Sequence, residues 1–124
     1  MDHLYELIHK IKERPGLYLG QRSITRLHAF IGGYSLAHHE LDVPSLETEH
    51  MLGEFQEWIY RRFEIGASHS WAQIILFYAE DERDAFQQFF DLFEEFLEQR
   101  ESVTSEESKG QNSSVTVTES VEAI

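Results

Sequence analysis

Histidine side chains are the first candidates for a functional site in this sequence, because neutral imidazole is a common metal ligand and the chain has seven. Their spacing does not favour a metal site. His38 and His39 are adjacent, so they point in different directions on a helix, and no HxxxH or HExxH pair occurs. His38 instead continues an apolar stripe, which predicts a half-buried core histidine. A site assembled across helices with Glu40 or His69 stays open, but we expect no metal and no cofactor.

A basic cluster near the start of the chain is the second candidate, and Glu13 is the one acidic residue within it. Two interpretations are open. In one, the basic side chains pair with acidic residues further along the chain. In the other, Arg14, Tyr18, Arg22 and Ser23 form an anion site for a phosphate or carboxylate at a helix start, although no glycine-rich phosphate loop supports it. The cluster comprises Lys10, Lys12, Arg14, Arg22 and Arg26.

Carboxylates are the third candidate, and their distribution along the chain is uneven. The formal charge is −13, and residues 80–124 hold thirteen acidic against three basic residues. This excess repels nucleic-acid phosphates, so we expect no binding to DNA or RNA, whereas a basic protein would be attracted. The other interpretation is that the acidic face only keeps the protein soluble. The predicted partner-binding residues are Asp84, Asp91, Glu94, Glu95 and Glu98.

Catalytic groups are not evident in the sequence. There is no cysteine to serve as a nucleophile or thiolate ligand, and no Ser-His-Asp arrangement stands out. The carboxylates near the end of the chain lie on the polar side of an amphipathic pattern, where we expect them to be solvated and to face outward. We therefore predict no catalytic residue. No signal peptide or membrane-spanning stretch is evident, which predicts a soluble cytoplasmic protein.

The elements that position these residues are predicted to be helices. Apolar residues recur at three- and four-residue steps throughout the first hundred residues, with Asp2, Ser23 and Ser70 placed as N-caps. Between the first two helices, RPGLYLG (14–20) is predicted to be a structured loop. Gly32-Gly33 falls inside the second helix and predicts close packing against another helix. The predicted helices span 2–13, 23–41, 48–63, 70–78 and 81–100.

The last two helices carry half of the aromatic residues. The run WAQIILFY (71–78) would also suit a buried strand, but no other segment alternates to pair with it, so we predict a helix. The fifth helix presents a phenylalanine stripe that predicts a core face, with an exposed aromatic docking face as the alternative. The stripe comprises Ala85, Phe86, Phe89, Phe90, Phe93, Phe96 and Leu97.

The domain organisation follows from these patterns. Residues 1–100 are predicted to form an all-α domain, a compact five-helix bundle. Residues 101–124 lose large apolar side chains and become rich in Ser, Thr and Glu, which predicts a disordered acidic tail.

The segment RPGLYLG followed by Leu27-His28 resembles the RPGMYIG…GLHH stretch of the DNA gyrase B ATPase domain. In that family the following helix carries a catalytic glutamate and a magnesium-binding asparagine. An ungapped alignment places those two roles on Gly33 and Ala37, and neither residue can perform them. The resemblance therefore implies a shared helix–loop–helix motif without ATP hydrolysis.

A longer stretch, residues 1–100, resembles small uncharacterised bacterial proteins with an RPGxYLG signature. Some proteins of this size and acidity are immunity proteins or inhibitors of toxins. We accordingly predict a non-enzymatic interaction protein that binds a basic protein partner through the acidic helix face. The alternative is a small-molecule binding protein or enzyme with an anion site around RPGLYLG. The sequence does not indicate an oligomeric state.

Overall fold

Residues 2–65 and 68–114 are described by the computed structural model, with side chains described to residue 102. Within these ranges the chain is all-α and contains no strand, which confirms the predicted fold class. It has six helices, not the predicted five. The helices are α1 (His3–Glu13), α2 (Pro15–Leu19), α3 (Ile24–Glu40), α4 (Glu47–Phe63), α5 (Trp71–Tyr78) and α6 (Glu82–Ser114).

The additional helix is α2, formed by the segment that was predicted to be a loop. Pro15 occupies its first turn, where the fixed φ of proline suits a helix and the missing N–H costs nothing. Gly20 ends it with a φ of 86°, a conformation that glycine adopts without steric cost. Arg26 then donates from Nη1 to the Leu19 carbonyl at 2.8 Å. Proline and glycine thus bound a short helix here and do not form an open turn.

The chain divides into two compact units, Met1–Phe93 and Glu94–Ile124. The predicted domain boundary at residue 100 lies inside α6, which continues to Ser114. Of the predicted disordered tail, residues 115–124 lie outside the described residues.

An aromatic cluster forms the core of the first unit. The Phe55 ring is fully buried and lies 5.3–5.9 Å from the rings of Trp58, Trp71, Phe89 and Phe93. Burial of each large aromatic side chain contributes roughly 1.5–3 kcal/mol to stability. The phenylalanine stripe of α6 is therefore a core face of this unit, as predicted, since its members from Ala85 to Phe93 are buried. In the second unit, Phe96 is buried and Leu97 is half-buried.

Helix α3 is buried over only its first half. Ile24, Leu27 and Ile31 form the buried stripe, whereas Leu41, at the C-terminal end of the helix, is 73% exposed. The prediction of close packing at Gly32-Gly33 is also wrong, because a Cβ added at either glycine would meet no atom within 4 Å. The two glycines therefore do not mark a close approach of another helix of the described chain.

The run Trp71–Tyr78 is a helix, as predicted. Ser70 Oγ accepts from the Gln73 N–H at 3.1 Å, and Gln73 Oε1 accepts from the Ser70 N–H at 3.1 Å, forming a capping box. Gln56 of α4 accepts from the Trp71 N–H at 2.7 Å, which fixes the start of α5 against α4. No helix in the described ranges is long and apolar enough to cross a membrane.

Candidate functional site

The predicted partner-binding residues of the first unit, Asp84 and Asp91, have different surroundings. Asp84 is half-buried and its Oδ2 accepts from the Glu80 N–H and from Gln88 Nε2, both at 2.9 Å. Asp91 is exposed, and its only contact in the described part is a 3.2 Å hydrogen bond from Gln87 Nε2. Asp84 is therefore held in the first turn of α6, and Asp91 is the more accessible of the two.

The predicted residues of the second unit are Glu94, Glu95 and Glu98. Glu94 and Glu98 are exposed and stand one helical turn apart, so they present neighbouring carboxylates. Glu95 is half-buried and accepts from Gln99 Nε2 at 3.4 Å. Of these three residues, Glu94 and Glu98 are the more open to a partner.

The predicted anion-site residues are only partly exposed. Arg14 and Arg22 are exposed, and neither forms an ion pair with the described residues. Tyr18 is half-buried, edge-on to Phe30 with 6.4 Å between ring centroids. Ser23 is 3% exposed and caps α3, accepting from the Arg26 N–H at 3.1 Å. Ser23 therefore faces the interior while the two arginines face outward.

A carboxylate from α6, which the sequence reasoning missed, occupies the start of α3. Glu82 Oε1 accepts from Ser23 Oγ at 2.9 Å and from the Thr25 N–H at 3.0 Å, while Oε2 accepts from the Thr25 hydroxyl. Burial raises the pKa of Glu82, but the hydrogen bonds from Thr25 and Ser23 outweigh burial, so the pKa lies below its ordinary value. A ligand anion bound at these donors would compete with Glu82.

Asp2 forms a similar contact at the start of α4. Its Oδ1 caps α1 by accepting from the Tyr5 N–H at 3.0 Å, as the N-cap prediction required. The same carboxylate also accepts from the Thr48 N–H at 2.9 Å and the Thr48 hydroxyl at 2.7 Å. Burial raises the pKa of Asp2, but the hydrogen bonds from Thr48 and Tyr5 outweigh it and lower the pKa. Asp2 therefore caps two helices.

The histidines do not form a metal centre in the described part of the chain, where no group of three or more metal-ligating side chains is suitably placed. His38 is half-buried, as predicted, and packs on Tyr34 with ring centroids 4.6 Å apart. Together with His39 and His50 it lines an open surface pocket of about 370 Å³. His28 lies edge-on to Trp71, and burial lowers its pKa, which favours the neutral imidazole.

Phe77 is the exposed residue that the sequence reasoning overlooked. It is 77% exposed on α5, and the neighbouring Tyr78 is 50% exposed. A signal was present, because Phe77 falls outside the stripe formed by Trp71, Ile74 and Ile75. On a short helix, an aromatic residue whose position falls outside the buried stripe is expected to be exposed to solvent.

Comparisons with known proteins give no relative for this chain: no family model, curated protein or solved structure matches it.

Proposed function

We propose that this protein is a non-enzymatic interaction module that binds a basic protein partner through the exposed carboxylates of α6. Such a module would act as an immunity, inhibitor or other regulatory protein. The observation that supports it is the difference among the carboxylates. The half-buried Asp2 and Glu82 are hydrogen-bonded to helix starts, whereas Asp91, Glu94 and Glu98 face outward on a chain of charge −13.

Electrostatic attraction gives this proposal a measurable signature. Exposed charges attract a partner over a Debye length, about 8 Å at physiological ionic strength, and added salt weakens the attraction. Complementary charge raises the association rate more than it strengthens the final complex. The partner complex should therefore form faster at low salt and dissociate as the salt concentration increases.

The test is affinity capture by the full chain from lysate of the source organism at low and high salt, read by mass spectrometry. The protein is compared with the double variant Glu94→Lys/Glu98→Lys. A matched control, Glu13→Lys/Glu57→Lys, changes the net charge equally at exposed positions on α1 and α4. We expect a basic protein that is released by salt, lost from the α6 variant and retained by the control. Equal retention by both variants would contradict the assignment to α6.

The second candidate function is binding of a phosphate- or carboxylate-bearing small molecule by Arg14, Tyr18, Arg22 and Ser23. The observation that favours it is the exposure of both arginines without an ion pair in the described part of the chain. A thermal shift with phosphorylated or carboxylated metabolites that disappears in Arg14→Ala/Arg22→Ala would support this function. No shift with any such metabolite would exclude it.

A further inference from the structure

The outward side of α3 is uncharged through the middle of the helix. Residues 27–39 include no Asp, Glu, Lys or Arg, although 27% of the residues of the chain are charged. Gly33 follows the buried Ile31 by two positions, a rotation of about 200° on a helix, so it lies on the side opposite the core. Leu36, one turn further along this side, is 59% exposed. An uncharged helix side that exposes a large apolar residue is typical of an interaction surface.

This surface, here named the outer face of α3, permits the close approach of a second helix. Its two glycines reduce helix stability by about 1 kcal/mol each relative to alanine. A Cβ at either glycine would meet no atom of the described chain within 4 Å, so no contact within the chain explains them. Small residues at a helix contact bring the two axes to the short end of the usual range of about 8–10 Å. The outer face comprises Ala29, Gly32, Gly33, Leu36 and Ala37, all exposed.

The sequence around the outer face is symmetric about Gly33, which suits a second copy of the same helix. Ala29 and Ala37 lie four positions before and after Gly33, and Phe30 and Leu36 lie three positions before and after it. Two copies that cross antiparallel at Gly33 would therefore place alanine against alanine and Phe30 against Leu36. Each copy would use the same residues, as in a two-fold symmetric dimer.

Opposite charges at the two ends of the outer face favour the antiparallel orientation. Arg26 and Glu40 lie seven positions, about two turns, before and after Gly33, and both are exposed. Arg26 donates one N–H to the Leu19 carbonyl and retains further donors, and Glu40 forms no ion pair with the described residues. Antiparallel pairing places Arg26 of each copy against Glu40 of the other, whereas parallel pairing would place like charges together.

The other charges at the ends of α3 are compatible with this pairing. Arg22 precedes the helix and Asp42 follows it, so each end has a second exposed charge of the same sign. Glu82 also lies at the start of α3, but its carboxylate accepts hydrogen bonds from Ser23 and Thr25. The net charge of −13 opposes association of two copies. Repulsion between charges separated by more than a Debye length, about 8 Å at physiological ionic strength, is largely screened.

We propose that the outer face of α3 binds the outer face of a second copy of this chain. The two helices form an antiparallel, two-fold symmetric pair that crosses at Gly33. The glycine allows the backbones to approach, and an Arg26–Glu40 pair closes each end of the contact. This surface lies on a different helix from the exposed carboxylates of α6, so the dimer and the proposed function are tested independently.

The test is sedimentation equilibrium of the full chain at physiological ionic strength, at concentrations from about 1 to 500 μM. The variant Gly33→Gln adds a side chain at the centre of the outer face. The matched control, Gly53→Gln, makes the same change at an exposed glycine of α4 that also has no atom within 4 Å of an added Cβ. Glutamine favours a helix more than glycine does, so neither variant should unfold more readily in urea than the protein.

We expect a dimer whose dissociation constant increases at least about tenfold in Gly33→Gln and is unchanged in Gly53→Gln. Glu40→Arg should also weaken the dimer, because it places two arginines together at each end. The double variant Arg26→Glu/Glu40→Arg should restore it, because opposite charges then face each other again.

A chain that stays monomeric over this concentration range would overturn the proposal, as would a dimer that Gly33→Gln leaves unchanged. A dimer that is weakened by Gly33→Gln but not by Glu40→Arg would also overturn it, because antiparallel pairing requires both effects. A monomeric chain that captures a different protein, which is lost from Gly33→Gln and retained by Gly53→Gln, would make that protein the occupant and overturn the proposal.

Discussion

Two sets of carboxylates, chemically the same, occupy opposite environments in this protein. Asp2 and Glu82 each accept three hydrogen bonds. Glu82 receives all three at the start of α3, whereas Asp2 receives two at the start of α4 and one at the start of its own helix, α1. Glu94 and Glu98 are exposed to solvent. The first set stabilises the fold and the second is available to a partner, so acidic composition alone does not identify a binding surface.

Asp2 and Glu82 supply hydrogen-bond acceptors for backbone N–H groups that the residues at these helix starts leave unsatisfied. The N-cap of α4 is Leu46, whose side chain has no oxygen, and Asp2 supplies the missing acceptor from 46 residues away. At α3 the N-cap Ser23 satisfies the Arg26 N–H, and Glu82 satisfies the Thr25 N–H. Each helix start is thus completed by a negative charge, which also opposes the positive end of the helix dipole.

The largest effect is expected from Asp2→Ala. The change removes the cap of α1 and leaves the N–H and hydroxyl of Thr48, a residue with 0% exposure, without acceptors. The free energy of unfolding should fall by about 2–4 kcal/mol. Urea unfolding followed by tryptophan fluorescence measures it. Asp2→Asn, which keeps a side-chain oxygen, is the matched control and should lose much less; an equal loss in both would show that Thr48 does not depend on this acceptor.

An intermediate, pH-dependent effect is expected from Glu82→Gln. The glutamine retains one oxygen acceptor, so at neutral pH the loss of unfolding free energy should be about 1 kcal/mol. Because folding lowers the pKa of Glu82, its contribution is fully present above the pKa of the unfolded chain and is lost as the pH falls through the lower folded-state pKa.

The difference in stability between the protein and Glu82→Gln should accordingly shrink as the pH falls below about 4.5, the ordinary pKa of a glutamate side chain. Urea unfolding at a series of pH values measures this difference. A difference that stays constant with pH would show that the charge of Glu82 is not responsible. Asp91→Asn, at an exposed carboxylate of the same helix, is the control and should leave the profile unchanged.

The smallest effect on stability is expected from Glu94→Gln/Glu98→Gln. Since both side chains are exposed, the free energy of unfolding should change by no more than about 0.5 kcal/mol. The same variant should weaken salt-sensitive binding to the basic partner, because two attractive charges are removed. A loss of stability as large as that of Asp2→Ala would place these carboxylates in the structural set and remove the distinction between the two sets.

Local patterns predicted most of the helices. The caps at Asp2, Ser23 and Ser70 depend on hydrogen bonds within a few residues, and the phenylalanine stripe of α6 shows in the local spacing of apolar residues, so the sequence was sufficient to predict them. The short helix α2 was not predicted, because Pro15 and Gly20 are equally compatible with a turn and with the two ends of a short helix.

The candidate site was less predictable than the fold. The sequence identified acidic residues in α6 but gave the same weight to Asp84, which the structure holds at the helix start, and to the exposed Asp91. It placed an anion site at Ser23, where the structure places Glu82, and the residues joined there are 59 positions apart. Contacts over such distances leave no periodic signal in the chain.

By itself, the sequence determined the all-α character of this protein and three of its helix caps, because helix propensity, apolar periodicity and capping depend on neighbouring residues. It also determined the acidic charge, because net charge is a sum over the residues of the chain. Only the tertiary structure decided which carboxylates are hydrogen-bonded to distant helix starts. It also decided that no other part of the described chain packs against Gly32-Gly33 and that Phe77 borders an open groove. Those outcomes depend on which helix lies against which, and that arrangement is set by long-range packing among residues that are far apart in the chain.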